Sequence, residues 1–106
     1  AQARIREVLR RHQTVEEVVE LKSRMIDTET YDVLLTIEFE GHRFAERLRG
    51  KLEAAYPDIE DVDGFVRYAG EFADDVIQLL GDEIDVIEAE IREAVPQVKI
   101  IDIEPN

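Results

Sequence analysis

From Phe65 to Ala94, apolar side chains recur every third or fourth residue: Phe65, Ala69, Phe72, Val76, Leu80, Ile84, Ile87, Ile91 and Ala94. A spacing close to 3.6 is that of an α-helix with one buried stripe. Unbroken from Asp61 to Val95, such a helix runs ~50 Å at 1.5 Å per residue. The candidate strands are only about ten residues long, ~33 Å when extended, so they cannot underlie all of it. Either Gly70 or Gly81 interrupts the helix, or one end projects past the sheet it covers. Ile77, Leu79 and Val86 widen the stripe in the middle. That width suits a second partner or a deep core.

The segments before the helix read in sequence. Ile5, Val8 and Leu9 share a helical face and Arg4, Arg6, Arg10 and Arg11 surround it, predicting a short amphipathic helix over about residues 3–12. Basic residues in its last turn suit the negative end of the helix dipole. From Glu17 to Asp27 the pattern alternates, with Val19, Leu21 and Met25 inward and Glu20, Lys22 and Arg24 outward. DTET, Asp27 to Thr30, is a polar turn. Tyr31 to Glu40 then alternates again, with Val33, Leu35, Ile37 and Phe39 inward. These two strands form a hairpin, which Gly41 ends.

Phe44, Leu48, Leu52 and Ala55 return to helical spacing, predicting a helix over residues 42–56 that Pro57 stops. Gly50 is its weak point. DIEDVDG, Asp58 to Gly64, is an acidic connector able to cap the next helix. Pro96 ends the long helix, and VKIIDIE forms a third strand, placed beside the first as in split βαβ folds. The expected architecture is one α+β domain, residues 1–106, with helices on one face of a small sheet.

Composition narrows the chemistry. Twenty-six acidic against thirteen basic residues give a formal net charge of −13, which repels phosphate backbones and anionic lipid. Nucleic-acid binding is therefore not expected; cations or a basic partner suit the charge. The absence of cysteine removes thiolate metal sites and thiol nucleophiles. No apolar run approaches the ~20 residues that span a bilayer, so no direct membrane insertion by this chain is expected. The chain opens on Ala1 with helical periodicity already running, as would a segment of a longer protein or a chain trimmed of its methionine. Ser23 is the sole serine and lies in a strand, and no glycine-rich phosphate loop occurs, so nothing supports catalysis.

Candidate ligand positions are few. Asp102 and Glu104 alternate with Ile101 and Ile103 and share a strand face with Val98 and Ile100. They read as metal ligands or as the solvated end of a strand. His12 falls at a helix end and His42 at a helix start, where solvated or capping roles are usual. Glu38, Glu40 and His42 share a side if the second strand persists that far. EDVD and GDEID are acidic clusters, but neither has the spacing of a calcium loop.

IREVLRRHQTVEEVVELKSR, the strand–turn–strand after it, and EIDVIEAEIREAVPQVKIIDIEP together resemble the cytoplasmic C-terminal domain of cation diffusion facilitators, divalent-metal transporters. The resemblance covers about residues 3–40 and 72–105. An insertion at about residues 42–70, with FVRYAGEFADDVIQLLGDEIDVIEAEI, is similar to the zinc transporter nine-like branch. The resemblance implies a ferredoxin-like, copper-metallochaperone-like αββαβ sandwich with an extra helical insertion before the long second helix. It further implies a non-catalytic homodimer, joined to the N-terminal transmembrane domain of the same transporter on the cytoplasmic side. Relatives hold zinc with a histidine and an acidic residue at the end of the last strand, matching Asp102 and Glu104, and a ligand can lie after the second strand, near His42. Histidines in the first two strands are missing here. The resemblance thus implies no required cofactor and at most weak zinc binding. The competing expectation is a free-standing ferredoxin-like module that binds a small ligand or a protein.

Overall fold

A computed structural model describes residues 2–106. The elements are α1 (Gln2–Arg10), β1 (Val15–Met25), β2 (Tyr31–Phe39), α2 (Gly41–Arg47), α3 (Arg49–Ala55), a 3-10 turn (Tyr56–Asp58), α4 (Val62–Ala94) and β3 (Val98–Pro105). The chain is α+β, with four α-helices and one mixed three-stranded sheet among the described residues.

The hairpin forms where the alternation and the polar turn placed it. Asp27 Oδ1 accepts the backbone N–H of Glu29 at 2.8 Å and of Thr30 at 2.9 Å, closing the turn locally. On β2, Val33, Leu35 and Ile37 are buried, so its inward face is the expected one. β1 departs from strict alternation. Its register against β2 slips between Val15 and Glu17 and again between Val18 and Glu20. Each slip sets two residues of β1 against one step of β2, as in a β-bulge. The core-facing residues become Val15, Val18 and Leu21. Val19, expected inward, is half-exposed in the second bulge, and Met25 lies out beyond the core.

The third strand corrects the expected topology. β3 pairs with β2, in parallel, and the sheet order is β1-β2-β3. In a split βαβ unit another strand separates the two parallel ones; here β2, α4 and β3 make a direct crossover and the two strands touch. β2 is the better neighbour, because its apolar face is unbroken while β1 carries two bulges and a charged edge. A further slip between Tyr31 and Asp32 gives β3 an extra residue, so Tyr31 faces Val98 and Asp32 faces Ile100. Val98 therefore turns into the core with Ile101 and Ile103, and not outward with Ile100.

α1 and α4 cover one face of the sheet. Ile5, Val8 and Leu9 of α1 meet Ile87 and Ile91 of α4 over Val33, Leu35, Ile37, Ile101 and Ile103. The other face carries mostly polar side chains. Each fully buried aliphatic side chain here contributes about 1.5–3 kcal/mol relative to exposure.

The predicted helix over residues 42–56 is two helices. Leu48 joins them with φ −96° and ψ 9°, and its N–H is shared between the carbonyls of Phe44 (3.2 Å) and Ala45 (3.1 Å). The break thus lies two residues before Gly50. Phe44 is the one buried side chain of this insertion, tilted against Phe39 with ring centroids 6.3 Å apart. Asp61 caps α4 by accepting the Gly64 N–H at 2.8 Å. α4 then runs 33 residues without interruption at Gly70 or Gly81. Only its C-terminal half lies on the core, so the molecule measures 61 × 20 × 19 Å.

Candidate functional site

Asp102 and Glu104 emerge on the open face of the sheet, both exposed. Asp102 is level with Leu34 and Lys22, and Glu104 with Thr36 and Glu20. Next along the face, Arg24 pairs with Asp32 at 3.2 Å, and Glu38 accepts the Asn106 side-chain N–H at 2.8 Å. Lys22, Arg24, Asp32, Leu34, Ile100 and Asp102 line a shallow depression of about 670 Å³. Its floor is apolar, with cations on the β1 side and a carboxylate on the β3 side.

His42 lies elsewhere. β2 ends at Phe39, so the alternation that would align Glu38, Glu40 and His42 stops before it reaches the histidine. Glu40 becomes the residue before α2, its carboxylate 3.7 Å from Arg43 Nε, and His42 is exposed in the first turn. Among the described residues no group of three or more His, Asp or Glu side chains is arranged to hold a metal ion. Two carboxylates on one strand fall short of the four donors, preferably nitrogen and sulfur, that zinc takes. Within one copy this donor set does not fit a zinc centre.

The other histidine is not solvated. His12 sits in a polar joint between the end of α1, α2 and α4. Its Nε2 is 2.7 Å from Glu90 Oε1 and its Nδ1 is 3.2 Å from Glu83 Oε1. The second oxygen of Glu83 accepts from Thr14 Oγ1 at 2.5 Å and from Arg47 Nη2 at 3.0 Å. Thr14 is fully buried and Glu83 is 5% exposed. The His12 ring thus bridges the two carboxylates, one at each nitrogen. Burial pushes the Glu83 carboxyl up, but the Thr14 hydroxyl, the Arg47 guanidinium and the His12 ring outweigh it and hold the pKa below its ordinary value of 4.5.

This joint was missed because His12 and Glu83 are 71 residues apart. A signal existed: Glu83 is one turn after Leu80 and one before Ile87, so it interrupts the apolar stripe of α4 with a carboxylate. A charge on a buried helical face needs partners from neighbouring elements. The joint fixes the insertion against α4. A small pocket of about 170 Å³ opens beside it, lined by Gln13, Thr14, Arg43, Glu46 and Arg47.

A cleft of about 850 Å³ opens at the far end of the sheet between Arg4, the Thr28–Tyr31 turn and Val95–Gln97. Arg4 donates there to the Ala94 carbonyl at 3.2 Å. The cleft contains none of the residues expected to bind a ligand.

No protein-family model, curated protein or solved structure matches the chain. No helix among the described residues is long and apolar enough to cross a membrane.

Proposed function

We propose that the chain is the dimerising, regulatory cytoplasmic domain of a divalent metal cation transporter, with zinc as the expected cargo and with no catalytic role of its own. Its αββαβ element order, lengthened by the insertion of α2 and α3, is the one expected of a ferredoxin-like, metallochaperone-like domain, although β3 lies beside β2. The observation that carries this reading is the junction of α4 with β3. Val95 closes the helix, its N–H bonded to the Ile91 carbonyl at 2.8 Å, and Val98, Ile101 and Ile103 then take the chain into the core. The segment that carries the resemblance most strongly is therefore also the one that completes the sheet, and it delivers Asp102 and Glu104 to the open face.

The proposed role is geometric: a rigid body that sets the spacing of two transporter subunits. The test is the coding sequence upstream of Ala1. Six apolar spans bearing histidine and aspartate four residues apart support the reading; an open reading frame that starts immediately before Ala1 overturns it. One observation favours the second reading, a small-ligand module: the cleft at Arg4 and the Thr28–Tyr31 turn.

A further inference from the structure

The core-facing stripe of α4 does not stop where the core stops. Projected at 100° per residue, Ile84, Ile87 and Ile91 fall on one side of the helix, and Val62, Val66, Ala69, Ala73 and Ile77 continue that side to the N-terminus. In the C-terminal half the sheet and α1 cover it. In the N-terminal half α3 lies on one flank only, tied by Lys51 to Asp75 at 2.6 Å. Val62 is 75% exposed, Phe65 60%, Val66 62% and Ile77 67%. Between Asp63 and Glu83 no charged residue enters this side of the helix, in a chain of which 37% is charged. The uncovered length, Val62 to Ile77, is ~24 Å.

The spacing of 62, 66, 69 and 73 is that of a coiled-coil seam, and Ile77 extends the same side by one further turn. It is also self-complementary. In an antiparallel pair centred between Ala69 and Gly70, Val62 meets Ile77 of the copy and Val66 meets Ala73, while the two smallest residues, Ala69 and Gly70, meet at the axis where the helices approach most closely. The same register sets Arg67, the only basic residue of α4 before Arg92, close to Asp74 of the copy, and the two-fold axis makes that ion pair twice. It places the copy's capping Asp61 level with Gln78, short of Glu83, where the sheet and α1 begin to cover α4. The uncovered stretch and the stretch that pairs are thus the same.

We infer that the N-terminal half of α4 pairs antiparallel with the same half of a second copy, through Val62, Val66, Ala69, Ala73 and Ile77. The inference deepens the dimer reading by naming its surface, and rests on it only in taking a second copy as the occupant. Because the chain has no cysteine, one introduced thiol reports the contact. Ala69→Cys, at the axis, forms a disulfide-linked dimer under mild oxidation, whereas Ile100→Cys on the open sheet face does not. Val66→Glu with Ile77→Glu weakens association by at least about 100-fold and leaves the far-ultraviolet circular dichroism unchanged, because neither side chain belongs to the core. If the double variant stays dimeric and Ile100→Cys cross-links in place of Ala69→Cys, the seam is overturned and the dimer reading survives. If the unaltered chain is monomeric at every concentration, both fall.

Discussion

Arg47 of α2 holds Glu83 of α4 at 3.0 Å, and the carboxylate it holds is almost wholly buried. With Thr14 and His12 on the same carboxylate, a single side chain joins three elements that are far apart in sequence. Removing it leaves Arg47 and Thr14 without their acceptor. Glu83→Ala should lower the free energy of unfolding by about 2–4 kcal/mol, read from urea titration at neutral pH. A loss below about 0.5 kcal/mol would show that water replaces the carboxylate.

The same carboxylate sets a pH dependence. Its folded pKa is depressed below 4.5, so its stabilisation is present above the unfolded carboxylate value and is lost as pH falls through the folded value. The stability gap between the parent chain and Glu83→Gln should therefore be flat around neutrality and close as pH falls below 4.5. Paired urea titrations from pH 7 to pH 3 measure it. A gap that widens on acidification would reverse the sign and refute the assignment.

Phe44 is the one buried side chain that the insertion contributes. Truncation to alanine should cost about 3 kcal/mol and loosen α2 and α3 before the sheet. Amide hydrogen exchange separates the two: protection from Gly41 to Ala55 should fall while that of Val33 to Ile37 persists.

Gly81 is an interior helical residue with open space where a Cβ would sit. Gly81→Ala should stabilise the chain by about 0.5–1 kcal/mol, seen as a raised thermal midpoint. No gain would mean that α4 is broken or flexed at that position in solution.

Zinc calorimetry should show at best weak binding, unchanged within about threefold by Asp102→Ala with Glu104→Ala. A stoichiometric nanomolar signal abolished by that double variant would show that a complete donor set assembles on the open face, for example from two copies.

Much of this architecture was legible in periodicity. The period of two on β2 and of 3.6 on α4 follow from how a strand and a helix each bury one side, and both survive intact. What periodicity could not carry was insertion of single residues. The bulges in β1 and the slip at Val98 move side chains between faces without altering the order of residue types, so alternation alone puts Val19 and Val98 on the wrong sides. Strand order was equally hidden, since β3 can satisfy its apolar face beside either strand, and only the uninterrupted face of β2 decides it. The residues expected to bind metal kept their local placement: Asp102 and Glu104 share the open face and His42 begins a helix. The joint at Glu83 lay in one discordant residue of a long apolar stripe, and His12 acquired its partners only through the packing of α1 on α4.

The most direct measurement is light scattering coupled to size exclusion on the 106-residue chain over a wide concentration range. Pairing through α4 predicts a mass twice the 12.2 kDa of one copy, persisting into the micromolar range. A mass of 12.2 kDa at every concentration would contradict it.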